Sequence, residues 1–323
     1  MLRLAISKNN GPSLHLYPRW YTRSVMRHFF IVLLLSTFLH AQPAAPRIPT
    51  ESLPPILLPW ESEVHTRDVD NQPYPAHKVA GNLYYVGTAG YASFLIISPQ
   101  GHILINPNFE DSVPIIQKNV EQLGFRFQDI KIVLISHAHG DHCAGTARVK
   151  EFTGAQVMVM DRDVDFMESG AKGTRSAFPP VKVSRILHDK DEISLGGSRL
   201  VARITPGHTK GNTTFTMKVQ EDGKSYDVVI LGSANVNDAH LLFDNKDYPE
   251  MLPDFLRTFE VLKALPCDIF LASHGKFYGL TAKYAKLGKG GPNPFIDPAG
   301  YREHVNLMEK AFYYKMDWVK RGY

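Results

Sequence analysis

The sequence predicts an α+β fold in which two β-sheets pack face to face with helices on their outer sides. In the first half of the chain, short apolar runs typical of strands are separated by turn residues, and segments with helical spacing follow them. The second half repeats this order of strands and then helices. Two such halves can bury the apolar faces of their sheets against each other, with the helices outside.

Residues 1–41 are expected to be a removable leader. The largely apolar run Phe29–Leu39 follows Met26 and ends shortly before the small residue Ala41, as in a secretory signal. The run is shorter than the roughly 20 residues that a transmembrane helix needs. We therefore expect a periplasmic or secreted protein without a membrane span, whose mature chain starts near Gln42. Met26 is a candidate for the true start of translation. The alternative interpretation of the apolar run is a short buried helix.

The charge balance argues against a nucleic-acid partner. The chain has 36 basic and 32 acidic residues, but five basic residues and no acidic residue lie in 1–41. Without that segment, 31 basic residues face 32 acidic ones, so the basic surface that nucleic acids require is not indicated. The rest of the chain is long enough to bury a large core, as one domain or two fused halves.

Residues 42–65 are predicted to form an extended N-terminal arm, and residues 66–323 the folded domain. Six prolines between residues 42 and 60 disfavour both helix and sheet pairing. Apolar residues in this arm, Ile56–Leu58 and Trp60, are expected to pack against the domain.

Each half yields its own set of elements. In the first half we predict strands, some of them paired as antiparallel hairpins, and helices, the first of which ends at Gly124. The strands are Leu83–Val86, Ser93–Ile97, His102–Ile105, Ile130–Ile135 and Gln156–Met160, and the helices are Ser112–Leu123, Ala144–Phe152 and a short helix from Asp161. The irregular loop 169–182 could cover a site. In the second half we predict strands Leu200–Ile204, Thr213–Met217, Asp227–Leu231 and Asp268–Ala272, and helices Pro249–Leu265 and Pro298–Lys320.

A dense group of metal-ligand residues follows the predicted strand Ile130–Ile135. His137, His139, Asp141 and His142 form the pattern H-x-H-x-D-H. Neutral imidazole and carboxylate are the nitrogen and oxygen donors that zinc prefers. No fold gains stability from crowding these side chains at the end of a strand, so the pattern indicates a metal site rather than a polar loop.

Two more histidines follow predicted strands among small residues. His208 lies in Thr-Pro-Gly-His-Thr and His274 in Ser-His-Gly, which is how a rigid scaffold presents a ligand. Six ligands suit two metals with three protein ligands each, and the position left for water is typical of catalytic sites. The histidines expected to lie on the surface or in the core are His65, His77, His102, His188, His240 and His304.

The two cysteines, Cys143 and Cys267, are expected to be buried thiols. A disulfide between them and zinc ligation by Cys143 are the alternatives that the sequence leaves open.

The succession H-x-H-x-D-H, G-H-T and S-H-G resembles the metallo-β-lactamase superfamily over most of residues 66–323. The resemblance implies a four-layer αβ/βα sandwich with two Zn²⁺ ions at one edge. It assigns the ligands of the first zinc as His137, His139 and His208, and those of the second as Asp141, His142 and His274.

One position separates activities within this family. Glyoxalase II, lactonases and RNase Z relatives have a bridging Asp after the strand that here ends Ile230-Leu231-Gly232, whereas this chain has Ser233. Serine at this place resembles the third subclass of class B β-lactamases, as do the segments 254–259 and 265–269. The resemblance also puts Ser233 and Asn235 near the substrate carboxylate, although either residue could simply cap the turn.

The resemblance to that subclass implies a β-lactamase that gives resistance to penicillins, cephalosporins and carbapenems. A metal-bound hydroxide would attack the β-lactam carbonyl, and Asp141 would orient the water as the catalytic residue. The expected partner is a small β-lactam, and the expected protein is a monomer. Tyr91 and Phe166 could contact an apolar part of the substrate or serve only in packing.

This chain departs from the family at two places, and other activities are open. Many relatives have Asp where this chain has Asn106, which leaves an uncharged support for the metal ligands, and Cys267 lacks the cysteine expected as its partner in the last helix. The alternatives are another exported dizinc hydrolase, such as a lactonase or thioesterase, a metal-stabilised binding protein, and a nucleic-acid hydrolase.

Overall fold

A computed structural model describes residues 65–174, 176–237 and 239–321 of the chain. The predicted leader and residues 42–64 of the predicted arm lie outside the described residues. Export, the start at Met26 and the packing of Trp60 therefore remain predictions. Within the described ranges, no helix combines the length and the apolar character that a membrane crossing requires.

Two sheets form in the described residues, and they confirm the predicted α+β sandwich. The first has seven strands paired in chain order: β1 His77–Ala80, β2 Leu83–Tyr85, β3 Phe94–Ile96, β4 His102–Ile105, β5 Ile130–Leu134, β6 Gln156–Met160 and β7 Arg185–Leu187. The second has five strands in the order β12-β11-β10-β9-β8: β8 Glu192–Leu195, β9 Ser198–Ile204, β10 Thr213–Glu221, β11 Lys224–Leu231 and β12 Ile269–Ala272.

The described helices are short except for two in the second half. Their bounds are α1 Arg67–Asp70, α2 Val113–Gln122, α3 Gly140–Cys143, α4 Thr146–Thr153, α5 Val164–Ser169, α6 Met251–Ala264, α7 Leu280–Tyr284 and α8 Pro298–Lys320. Short 3-10 turns span Glu110–Ser112, Phe127–Asp129, Asp161–Asp163 and Gly275–Tyr278.

Side-chain alternation in the first sheet divides the interior into two layers. In β3, Phe94 and Ile96 are buried in the core that also contains Phe215 of the second sheet. Leu95, between them, is buried in a separate core with Ile116 of α2. Because successive residues of a strand point to opposite faces, the same strand packs against the other sheet on one side and helices on the other.

Most predicted strands are present, and β2, β3 and β4 pair antiparallel as expected. Turn chemistry did not predict the parallel pairs, which are β4 with β5, β5 with β6, β6 with β7 and β11 with β12. The prediction also lacked β1, β7 and β8. Arg185–Leu187 is only three residues long with two of them exposed, so neither its length nor its pattern distinguishes it from a loop.

The predicted ligands lie at one edge, where strands from both sheets end. The H-x-H-x-D-H segment follows β5, His208 follows β9 and His274 follows β12. Backbone hydrogen bonds join the sheets at this edge: the Thr213 amide donates to the Ser136 carbonyl at 2.7 Å, and the Ala92 amide to the Ser273 carbonyl at 2.9 Å. The fold therefore brings distant parts of the sequence together around one group of histidines.

Candidate metal centre

A buried asparagine holds the start of the first ligand segment. The Ser136 amide donates to Asn106 Oδ1 at 2.9 Å, and Asn106 Nδ2 donates to Ser136 Oγ at 2.9 Å. Ser136 Oγ in turn lies 3.1 Å from His137 Nδ1. Asn106 therefore holds Ser136 at two points, and through Ser136 it orients the first imidazole.

His137, His139 and His208 form a compact, nearly symmetrical group. Each pair of ring centroids is 4.9 Å apart, and the rings are close to perpendicular, with angles between 76° and 88°. His208 Nδ1 lies 2.9 Å from the Asn235 carbonyl, which leaves Nε2 for another partner. His137 Nε2 is buried and has no hydrogen-bond partner among the described residues. A buried polar atom in that state is costly unless it binds something else, such as a metal.

Asp141, His142 and His274 form the second group, in which the possible ligand atoms also lie close together. His142 Nε2 lies 3.2 Å from His274 Nε2 and 3.2 Å from Asp141 Oδ2, and His274 Nε2 lies 3.5 Å from the same oxygen. Donors bound to zinc at about 2.0–2.1 Å in tetrahedral geometry lie roughly 3.3 Å apart. The spacing of these three atoms fits a shared metal ion.

The electrostatics of both groups favour metal ligation. Burial, reinforced by neighbouring imidazoles, lowers the pKa of His137 and His208 well below the usual value and lowers the pKa of His274 to about 3. Burial alone would raise the pKa of Asp141, but His142 and His274 outweigh it and the net direction is downward. Neutral imidazoles beside an ionised carboxylate are the protonation states that a divalent metal binds. The donor sets His137, His139 and His208, and Asp141, His142 and His274, therefore fit the expected zinc.

A carboxylate that the sequence analysis did not single out connects the ligand segments. Asp163 is buried, and it accepts hydrogen bonds from the Ala138 amide, the Thr209 hydroxyl and the Gly211 amide. Burial raises the pKa of Asp163, although these three hydrogen bonds act in the opposite direction. Its position after β6, like that of the histidines after their strands, was the available signal.

Two cavities open on either side of His139. The first, of about 640 Å³, is lined by Tyr91, Asp141 and part of the loop 169–182, as expected for a loop that covers a site. The second, of about 570 Å³, is lined by His208, Lys210 and the half-exposed ring of Phe166. Both aromatic residues singled out in the sequence, Tyr91 and Phe166, therefore face the cleft.

Ser233 and Asn235 lie near the centre, but neither lines the two cavities. Ser233 is buried, and its Oγ accepts the Asn235 amide at 3.3 Å. The Asn235 carbonyl contacts His208, so its backbone supports a ligand whatever its side chain does. Contact of Ser233 and Asn235 with a substrate carboxylate stays a prediction.

Two other residues, Cys143 and His240, lie beside the ligand segments. Cys143 is a buried free thiol outside both ligand groups. Cys267 precedes β12, at the end away from His274, and it is also a free thiol, so the disulfide alternative does not hold in this structure. Cys267 was expected to be buried, but it is only partly buried. His240, expected to be a surface or core residue, is buried against the ligand segment, with Nε2 3.2 Å from the His208 carbonyl.

A family profile and solved structures that resemble this chain indicate the same family. The profile described as "Metallo-beta-lactamase superfamily" matches residues 86–274. The native FEZ-1 metallo-beta-lactamase from Legionella gormanii is 44% identical, with a TM-score of 0.76, and the match covers 78% of this chain and 98% of that one. BJP-1, a subclass B3 metallo-beta-lactamase of Bradyrhizobium japonicum, is 34% identical with a TM-score of 0.73, covering 77% and 96% of the two chains.

Curated relatives found by sequence carry a different name. A hydroxyacylglutathione hydrolase from Methylococcus capsulatus is 33% identical over 195 residues, which cover 59% of this chain and 63% of that protein. A protein of the same name from Cereibacter sphaeroides is 28% identical over 156 residues, covering 47% and 51%. The chain thus spans between about half and 63% of the length of these curated relatives.

Proposed function

This chain belongs to the metallo-beta-lactamase superfamily, and on that premise we propose that it is a zinc-dependent β-lactamase of the subclass B3 type. The observation that carries the proposal is the convergence of six ligand side chains as two sets of three on a cleft with a cavity on each side. The proposed reaction is hydrolysis of the β-lactam amide bond of penicillins, cephalosporins and carbapenems. Its proposed biological effect is antibiotic resistance.

Two zinc ions are the proposed cofactors. His137, His139 and His208 would hold one ion, and the other would be held by Asp141, His142 and His274. When bound, zinc supplies a Lewis acid for a carbonyl and a nucleophile at neutral pH, because it lowers the pKa of water to about 7.

The side chains lining the first cavity handle water and the reacting amide. The Asp141 side chain is 27% exposed, so its carboxylate can accept a hydrogen bond from a water in that cavity and orient it. Burial raises the pKa of Tyr91 far above its usual value, so its hydroxyl stays protonated and can only donate or accept as a neutral group. These two residues provide one acceptor and one neutral hydroxyl beside the metal ligands.

The second cavity is the better binding site for a carboxylate of the substrate. In the first cavity, Arg67 is already paired with Asp111 at 3.0 Å, and Glu110 and Asp141 add negative charge. In the second cavity, no described carboxylate lies within ion-pair distance of the Lys210 ammonium, although the buried Asp163 and the exposed Asp247 line the same cavity.

Apolar groups complete the second cavity. Phe166 and Leu241 are 43% and 62% exposed, which is unusual for large apolar side chains, and both line this cavity. An amphipathic substrate can place an apolar substituent against them while its carboxylate meets Lys210. We propose this orientation in addition to the predicted contacts of Ser233 and Asn235.

A thioester or lactone hydrolase is the second candidate, because curated relatives are named hydroxyacylglutathione hydrolases. Enzymes of that type have a bridging carboxylate after the strand corresponding to β11, whereas this chain has the buried Ser233 there. The absence of that carboxylate from the chain at this position favours the β-lactamase. We also propose that the protein is periplasmic or secreted and that it is a monomer.

Hydrolysis of a carbapenem by the purified protein tests the proposal. The assay follows loss of the β-lactam absorbance before chelation, after chelation and after zinc is restored, with a thioester and a lactone as parallel substrates. We expect carbapenem hydrolysis that is lost and regained with zinc. A folded, zinc-loaded protein that cleaves the thioester or the lactone but no β-lactam would refute the β-lactamase and support the second candidate.

A further inference from the structure

The carboxylate of Asp163 connects ligand segments that come from different sheets. Its Oδ2 accepts the Ala138 amide at 2.9 Å and the Thr209 hydroxyl at 2.8 Å, and its Oδ1 accepts the Gly211 amide at 2.8 Å. Ala138 lies between His137 and His139 after a strand of the first sheet, whereas Thr209 is next to His208 after a strand of the second. One side chain therefore binds the backbone on both sides of the three-histidine group.

A simple helix-capping role does not explain this carboxylate. Asp163 precedes α5, the position at which aspartate commonly caps a helix, yet its side chain makes no capping hydrogen bond to that helix. Both oxygens are directed to the ligand segments instead. Burying an ionised carboxylate is costly unless hydrogen bonds satisfy it, and the three bonds to Ala138, Thr209 and Gly211 meet that requirement.

The residue opposite Asp163 is adapted to this close approach. A Cβ added to Gly211 would lie 2.7 Å from the Cβ and Cγ of Asp163 and from its backbone nitrogen. Real side chains do not tolerate such distances, so the segment that carries His208 can approach Asp163 only because residue 211 is glycine.

We propose that Asp163 is a positioning residue that sets the spacing between His139 and His208 before metal binds. Fixing the two segments in advance lowers the entropic cost of ordering them when metal binds. Supporting groups hold ligands in other metal sites in the same way. This role concerns the assembly of the three-histidine group and is independent of the substrate that the enzyme cleaves.

Zinc affinity of the full chain measures this role. A His274→Ala background removes one ligand of the second group and leaves the three-histidine group complete. In that background, Asp163→Asn is titrated with zinc against a chromophoric chelator. At least one of the three donors then faces an amide NH₂, so we expect zinc to bind about 10- to 100-fold more weakly. Asp317→Asn, the same change at a buried aspartate of α8, is the matched control and should change affinity less than about 3-fold.

Hydrogen exchange of the metal-free protein provides a second readout that does not involve activity. The amides of Ala138 and Gly211 should exchange faster in Asp163→Asn than in Asp317→Asn, because each loses its acceptor or gains a repulsive neighbour. Wild-type zinc affinity in a folded Asp163→Asn protein would overturn the proposal, even if the two amides exchange faster, since the contact would then be structural only.

Thr209 offers a test that survives a folding failure of the Asp163 variant. Thr209→Val removes one donor and keeps the side-chain shape, so zinc affinity in the same background should fall roughly 3- to 10-fold. Thr209→Ser keeps the hydroxyl and should restore wild-type affinity. Equal affinities of the valine and serine variants would overturn the proposal, whereas a loss confined to valine supports it.

Discussion

Acidification to pH 5 is expected to remove about 2 kcal/mol of folding free energy through one side chain, His304 of α8. Its ring is buried against the rings of Phe270 and Phe277, whose centroids lie 5.2 Å and 5.4 Å away. This burial lowers the pKa of His304 to about 3, compared with 6.5 for an exposed histidine. The folded protein therefore keeps the ring neutral where the unfolded chain protonates it.

The sign and size follow from that difference in pKa. Because the folded-state pKa is depressed, the contribution is fully present above pH 6.5 and is lost as the pH falls toward 3. pH 5 lies about 1.5 units below the pKa of this histidine in the unfolded chain, and each unit stabilises the protonated, unfolded chain by roughly 1.4 kcal/mol. The folded ring remains unprotonated at this pH. The loss between pH 8 and pH 5 is therefore about 2 kcal/mol.

Urea unfolding of metal-free protein at pH 8 and pH 5 measures this loss. His304→Phe removes the titrating group, so its stability should fall by about 2 kcal/mol less than that of the wild type over this interval. Packing of the larger ring changes the stability of the variant equally at both pH values, and the predicted metal ligands titrate in both proteins. Both effects therefore cancel when the two pH-dependent changes in stability are subtracted. His188→Gln, at a histidine whose side chain is 67% exposed, should behave as the wild type does. An identical pH dependence of wild type and His304→Phe would refute the reasoning.

Three substitutions in the centre give separate outcomes. Asp141→Ala should lower kcat by about 10²- to 10³-fold with an unchanged circular dichroism spectrum, because it removes a proposed metal ligand, whose loss should cost several kcal/mol of transition-state stabilisation; near-wild-type kcat would contradict the ligand assignment. Lys210→Ala should raise KM about 10-fold for substrates with a carboxylate and leave their esters unaffected, whereas the exposed Lys246→Ala should change neither; equal effects on acids and esters would exclude an ionic contact. Asn106→Ala should cost about 1–3 kcal/mol in urea unfolding, because it leaves the buried Ser136 amide without its acceptor; unchanged stability would show that the bond contributes nothing.

The sequence predicted those parts of the site whose signal is local. The pattern H-x-H-x-D-H carries its chemistry within six residues, and His208 and His274 each follow an apolar strand among small residues. The structure brings all six predicted ligands together as two groups of three that could each hold a metal ion. Helix α8 was predicted with its observed bounds, and the structure shows the Asp297 side chain capping its N-terminus and Pro298 in its first turn.

Contacts between distant segments could not be predicted in the same way. The hydrogen bonds of Asp163 to Thr209 and Gly211 join residues 46 and 48 positions apart, so the sequence shows only an acidic residue after a strand. Ser233 was singled out in the sequence, but its burial could not be predicted. Burial depends on how the loop after β11 packs, which is a property of the folded chain.

The uneven burial of the six ligands bears on how fast metal can leave. Each group combines one buried histidine, His137 or His142, with two partly exposed ligand residues. A competing ligand can therefore reach either group only from the cleft. A chelator would have to enter the cleft to remove metal from either group, so its size and charge would set the rate at which metal is lost.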